Sequence, residues 1–504
     1  MKKTLSAAVL AATMGTVGVS GAVNLGQAGV GEALIYPYYT VRGDQITVFE
    51  VVNTTDRTKA VKVRFREGKA AARVLEFNLY LSPFDVWTAT LAENGSGAQI
   101  RTIDTSCTVP NVLGLGPVAF RNFEYENDAV ADDSLNRTRE GYFEVIEMGS
   151  MDPTSDFGVL AVHEVLGLND TGPAYPLDWN GSECTTLEAL WNGGLWASTD
   201  PNTEAVGVPM LGPQGGLFGT ALIVNVQTGT MFSYTATALD NWRDAPIHSV
   251  PASASPTLAD ADPVSTVLVR DQGDASAPTA SLQGASLVTD FSDTSNGADA
   301  VSSLILSEAI LNSYALDEGL LAQTDWVFTF PTKHHYVPAD GSAPSAPFSE
   351  GLTPEGACEP VDIFHYDREE QFPVTPPPWE WGQKLSPRPP NLPSPPSLCW
   401  AVSTFEWDNE SVVGDGVLRS ELALNFVSEF EHGWGEVAFI HPENVLIGVD
   451  PGGTLNHRFS GLPVLGFAVT QYINNDVGGL LANFTGLFNH KAAVTVEQTE
   501  QDSR

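Results

Sequence analysis

From Ala60 to Arg66 the chain alternates without a break, with Val61, Val63 and Phe65 on one side and Lys62, Arg64 and Arg66 on the other. A period of two is the repeat of an extended strand, whose successive side chains point to opposite faces. A helix would scatter these six residues around its axis, so the segment predicts a strand with one face in a core and the other in water. Its neighbours repeat the pattern. Gln45–Asn53 sets Ile46, Val48 and Glu50 against Thr47, Phe49 and Val51, while Leu75, Phe77, Leu79 and Leu81 alternate with Glu76, Asn78 and Tyr80. Thr54-Thr55-Asp56, Gly68 and Ser82-Pro83 supply the breaks between them. Three short strands at this spacing predict an immunoglobulin-like β-sandwich over 23–105 rather than a parallel sheet.

Further strand signals fall at 141–148, 157–165, 220–226, 232–238, 324–330, 417–426, 436–440 and 462–472. The chain therefore reads as mainly β, with further antiparallel β-sandwich structure in 106–250 and 298–504, one short helix and long loops. The helix is expected over 298–314, where Val301, Leu304, Ile305, Ala309 and Leu311 approximate one apolar stripe. Before it, 251–297 is mostly Ser, Ala, Thr, Asp and Pro and reads as a linker or long surface loop. The stretch 373–396 holds ten prolines, with Trp379 and Trp381 inside it, and predicts a stiff polyproline excursion from a β core. No fixed-period repeat points to a solenoid or propeller.

Lys2 and Lys3 precede an uncharged stretch over 4–23 that closes on Ser20-Gly21-Ala22, which predicts a signal peptide over 1–22 cleaved after Ala22. No later stretch offers about 18 consecutive apolar residues, so no transmembrane helix is expected after it. In an exported chain four cysteines suggest two disulfides, with three connectivities open. Cys107–Cys184 and Cys358–Cys399 are favoured because each pair lies within one stretch of chain. The cell surface or extracellular space is the expected destination, with the periplasm as the alternative.

Several segments resemble a family of exported, cell-surface-type proteobacterial proteins that carries no assigned activity. They include Leu34-Ile35-Tyr36-Pro37-Tyr38-Tyr39, Val63-Arg64-Phe65-Arg66-Glu67, Phe77-Asn78-Leu79-Tyr80-Leu81-Ser82-Pro83, Thr324-Asp325-Trp326-Val327 and Tyr366-Asp367-Arg368-Glu369-Glu370. The resemblance implies export and surface placement, and no mechanism.

The balance of 62 Asp and Glu against 24 Lys and Arg, a formal −38, repels phosphate and excludes a nucleic-acid partner. Within that acidic chain Arg57, Lys59, Lys62, Arg64, Arg66, Lys69 and Arg73 crowd into one strand and its flanks, opposed locally only by Glu67. They read either as a docking patch for an anionic surface or another copy's acidic face, or as a solvated strand face. Asp128, Asp132 and Asp133, and separately Asp260, Asp262, Asp271 and Asp274, are acidic clusters that offer oxygen ligands to calcium but do not fit the regular calcium loop. His163-Glu164 lacks the second histidine of a zinc protease, since Gly167 stands there. Adjacent His334 and His335 on a strand would face opposite ways, which favours packing over a shared metal. Trp379, Trp381, Trp400 and Trp407 could stack on sugar or pack on proline. No nucleophile elbow, phosphate loop or dinucleotide fingerprint is present, and no cofactor other than calcium is indicated. The expected role is a non-enzymatic structural, adhesive or assembly protein of the surface or envelope. The alternative is a glycan- or calcium-binding module, extending to a glycoside-active enzyme.

Overall fold

The computed structural model describes residues 21–162, 184–193, 210–269, 285–294, 297–373, 395–409 and 416–500. They form several mostly antiparallel sheets with few helices, as the alternating segments require. The predicted signal peptide is described only from Gly21, and from Val23 onward the chain is tied down, because Val23 donates its N–H to Val264.

Two seven-stranded sheets make the first layer pair. One runs in the order 24–25, 237–240, 33–40, 140–151, 58–67, 73–81, 107–109. The other runs 230–235, 220–225, 45–53, 86–93, 98–101, 118–119, with 217–218 beside 45–53. Between them Tyr36, Phe49, Phe65, Trp87 and Phe143 meet in an aromatic core, with Tyr36 stacked on Phe143 at 4.1 Å. Such pairs add about 0.5–1.5 kcal/mol each beyond the area they bury.

The boundary expected at 105/106 does not divide these sheets. The strand Glu140–Met151 inserts between Ala33–Thr40 and Thr58–Glu67, and Thr220–Asn225 pairs with Gln45–Asn53. The sandwich is built from residues 24–240, since a buried central strand can be contributed by chain far away in sequence. Consecutive strands Gln45–Asn53 and Thr58–Glu67 lie in different sheets.

The expected linker is also revised. Thr257 and Asp260 form a capping box over a short 3-10 turn, and Val264–Leu268 pairs with Ser286–Asp290. These strands belong to a five-stranded sheet completed by 445–449, 455–460 and 495–500. Composition suggests a loop because Ser, Ala, Thr, Asp and Pro surround these short strands, while what ties their hairpin into the sheet is the pairing of Asp290 with Val449, far downstream. The helix is shorter than its apolar stripe implied. It spans Gly297–Ile305, and Ala309–Ala315 is instead a strand between His432–Phe439 and Lys491–Ala493.

That strand belongs to a sheet ordered 397–398, 359–367, 432–439, 309–315, 491–493. It faces a second sheet ordered 423–427, 402–408, 322–329, 467–477, 480–489, across a core of Trp326, Phe405 and Trp407. The opposite face of this second sheet joins the first sandwich through Val327, Phe467 and Val469. Both favoured disulfides are formed, Cys107–Cys184 and Cys358–Cys399. Most of the proline-rich stretch, 374–394, lies outside the described residues.

Candidate functional site

The basic strand is not a docking patch. Every residue of Thr58–Glu67 is buried. The alternation was real, and Val61, Val63 and Phe65 do enter the aromatic core. The second face, however, meets protein instead of water. Register sets Glu144 and Glu76 on either side of Arg64. Arg64 pairs with Glu76 at 3.0 Å and Arg66 with Glu144 at 3.2 Å. Lys59 pairs with Glu147 at 2.8 Å with both side chains sealed from solvent. Lys62 donates to the carbonyls of Val250 and Pro251 at 2.8 Å each, and burial holds its amine well below the usual lysine range. Only the ends of the run approach solvent. Lys69 binds Asp132 at 2.9 Å, Arg73 binds Glu76 and Glu124, and Arg57 sits 3.8 Å from Asp152.

The same pairing accounts for two of the three first calcium candidates. Asp128 lies 2.7 Å from Arg137, and Asp132 is the partner of Lys69, which holds its carboxyl down at about 2 against the opposing effect of burial. Asp133 is exposed. Of the second group, Asp260 caps its turn and Asp262 accepts the N–H of Asp244, while Asp271 and Asp274 lie outside the described residues. His163-Glu164 and Trp379 and Trp381 also lie outside them. Trp400 is half-buried beside Lys69, and Trp407 is a core residue stacked on Tyr314 at 4.1 Å.

His334 and His335 sit on the single helical turn Lys333–Tyr336, not on a strand, with ring centroids 3.9 Å apart. Tyr142 lies 3.3 Å from His334 Nδ1. Burial, reinforced by Arg66 and Arg64, pushes His335 down to about 3. Burial likewise holds His248 at about 3 and both His365 and His490 at about 4. In the unfolded chain an imidazole takes its proton near pH 6.5, so below that pH the unfolded state binds protons that the fold refuses, and stability falls. Glu32 and Asp325, both raised to about 7 by burial, act with the opposite sign, favouring the fold at low pH and costing stability as pH rises from about 4 toward 7. Because both kinds of group are present, the contribution of one imidazole is read by difference. His248→Gln is expected to lose less of its urea midpoint than the wild type as pH falls from 6.5 to 4.5, and the same loss in both proteins would contradict this account of the buried imidazole.

With the cations turned inward, the surface is distinguished by two other features. The first is the hairpin Phe467–Val477 and Leu480–Asn489, closed by Gly478 and Gly479, whose positive φ values of 64° and 89° suit a tight two-residue turn. Its second strand, Leu-Leu-Ala-Asn-Phe-Thr-Gly-Leu-Phe-Asn, has no charged residue and no proline. It is the outermost strand of its sheet, with Leu480 73%, Phe484 64% and Phe488 47% exposed on one face. Most other sheet edges among the described residues are blunted; Thr230–Thr235, which packs against this strand, and Ala423–Val427 are also uncharged edges but only six and five residues long. The strands 24–25, 107–109, 118–119, 397–398 and 491–493 are two or three residues long, Thr495–Glu500 carries Glu497 and Glu500, and Val264–Leu268 is covered by Val23. Short or charged edges are the usual protection against pairing with another chain, and the 480–489 edge has neither.

The second feature is the outer face of the 359–367/432–439/309–315 sheet. Phe364, Tyr366, Trp434 and Phe372 gather there, with Trp434 stacked on Tyr366 at 4.7 Å. Beside them Asp317, Glu431 and His432 each bring a ligand-type atom within 4.8 Å of the others, and His432 Nε2 lies 3.2 Å from Asp317. Sequence reasoning missed both features. The Gly478-Gly479 pair and the alternation of Asp362, Phe364 and Tyr366 against Val361, Ile363 and His365 were the available signals. No helix among the described residues is long and apolar enough to cross a membrane. Comparison with family models, curated proteins and solved structures finds no match.

Proposed function

We propose that this chain is an exported, non-enzymatic β protein of the cell surface or envelope that acts by assembly, with the 480–489 edge as its pairing surface. The observation that carries this reading is the ten-residue, uncharged, outward-facing edge strand in a chain of net charge −38. An exposed long apolar edge is a template for another strand, whose backbone completes the ladder while side chains pack on the shared faces. The edge is complementary to itself. Antiparallel pairing about a two-fold axis through Phe484 brings Phe484 against its own copy and Leu480 against Phe488 of the second copy. Such pairing uses up the edge and closes at a dimer. The two disulfides support an oxidising compartment, and the leader-like N-terminus and the resemblance noted above support export.

Location and assembly are tested together by brief chemical cross-linking of intact cells followed by protease shaving. The expected result is protein at twice the monomer mass that is lost on shaving. Protein that is protease-protected and monomeric would sink the proposal.

A further inference from the structure

From the outer face of the 359–367/432–439/309–315 sheet, which is separate from the pairing edge, we infer that the protein carries a binding site for a neutral glycan centred on Trp434. Register places Trp434 between Tyr366 on one side and Ser313 on the other. One ring face of Trp434 is covered by Tyr366, 4.7 Å away and inclined by 16°. The neighbour across from the other face is a serine, too small to cover an indole, and Trp434 remains 41% exposed. The result is a shelf over the 309–315 strand walled by an aromatic ring that Tyr366 holds in place.

Polar groups border this shelf on the same strand face. His432 and Glu436 flank Trp434 two residues away on either side, and Glu436 lies between Leu311 and Phe364. His432 Nε2 contacts Asp317, whose other carboxylate oxygen is held by the N–H of Leu320, so the imidazole is oriented by a partner that is itself fixed. Neither His432 Nδ1 nor the Glu436 carboxyl hydrogen-bonds to another described residue, and both border the exposed Trp434. Burial, with Glu308 nearby, raises the Glu436 carboxyl above its ordinary range.

This combination matches a pyranose. The sugar offers an apolar C–H face to lie against an indole and a rim of hydroxyls that both donate and accept, as an imidazole and a carboxyl require. A hydrocarbon partner would leave His432, Asp317 and Glu436 facing an apolar surface at a cost. Charge narrows the class further. Asp317, Glu431 and Glu436 border the shelf of a chain that is acidic overall, so uronic or sulfated glycans are repelled and a neutral one is favoured.

The test is calorimetric and tryptophan-fluorescence titration of the full mature, disulfide-intact protein. The probes are β-1,4-linked glucose and N-acetylglucosamine hexamers, with polygalacturonate as the anionic comparator. Binding of at least one neutral hexamer is expected, weakened roughly tenfold or more in Trp434→Ala and largely kept in Trp434→Phe. Because Trp434 is exposed, its replacement leaves the core intact, and matching circular dichroism spectra verify this. Phe484→Lys, at the pairing edge, is expected to bind the hexamer as the wild type does. The inference is overturned by silence toward both neutral hexamers, by preference for polygalacturonate, or by unchanged affinity in Trp434→Ala.

Discussion

Arg137→Met is expected to destabilise the protein by about 3–5 kcal/mol, the usual cost of removing one partner from a buried ion pair. Arg137 is the hub of a buried charge cluster. Its guanidinium grips Glu67 through two nitrogens at 3.2 and 3.0 Å, reaches Asp128 at 2.7 Å and lies 3.9 Å from the centroid of the Tyr125 ring. Glu67 in turn accepts the N–H groups of Lys69, Ala70 and Ala72, fixing the turn that leads out of the basic strand. Methionine keeps much of the stem volume and removes the charge, leaving two carboxylates inside protein with no cation to share. Arg137→Lys restores the charge without the two-pronged geometry and should recover part of the loss. Urea unfolding of the three proteins measures this. A loss under 1 kcal/mol for Arg137→Met would show that these pairs act as surface pairs do.

Removing the Cys107–Cys184 bond by the double change Cys107→Ser and Cys184→Ser is expected to cost about 4.5 kcal/mol, from chain entropy for a loop of this size. The bond joins residues 77 apart. It also moors the helix Cys184–Asn192 on the first sandwich, where Trp191 Nε1 donates to the Tyr80 hydroxyl at 2.8 Å and Tyr80 lies 2.9 Å from His248 Nε2. Freeing the helix therefore loosens a buried hydrogen-bonded group as well as lengthening the unfolded loop. Cys358–Cys399 spans 41 residues, so the corresponding double serine variant should lose slightly less, about 4 kcal/mol. Unfolding midpoints of both variants beside the oxidised wild type give the comparison. Indistinguishable midpoints for wild type and the Cys107/Cys184 variant would contradict the mooring role.

These two results concern groups whose chemistry was visible in the sequence but whose setting was not. The period-two pattern of 60–66 fixed which side chains share a face, and Val61, Val63 and Phe65 lie in the core as expected. What covers the other face is not local. Apart from Glu76 on the next strand, its carboxylates come from Glu144 and Glu147, some eighty residues on, and its carbonyls from Val250 and Pro251, at and beside the start of a segment whose composition reads as a linker. A strand buried on both faces still alternates when ion pairs line one of them, so alternation alone cannot distinguish water from protein. The helix over 298–314 failed for a related reason. Val301, Leu304 and Ile305 do form a helical stripe, but at Ala309 pairing with the 432–439 strand overrides local preference. Disulfide pairing was legible because proximity in sequence kept each loop within one region.

Neither candidate surface follows from a local sequence signal. Trp407 reads as a stacking residue and is a core residue, whereas Trp434, two strand positions from His432, is the exposed one. Exposure of an aromatic depends on which sheet face points outward, and that is set by the core on the opposite side. The 480–489 edge was missed because being outermost is a property of sheet order.

The reading of this protein as an assembling envelope component rests on that edge, and sedimentation velocity over a range of concentrations tests it most directly. The wild-type protein is expected to sediment as a dimer at micromolar concentration. Phe484→Lys, which places a charge at the centre of the paired strands without touching the core, is expected to sediment as a monomer with an unchanged circular dichroism spectrum. A wild type that stays monomeric at every concentration, or a Phe484→Lys variant that remains dimeric, would contradict the account.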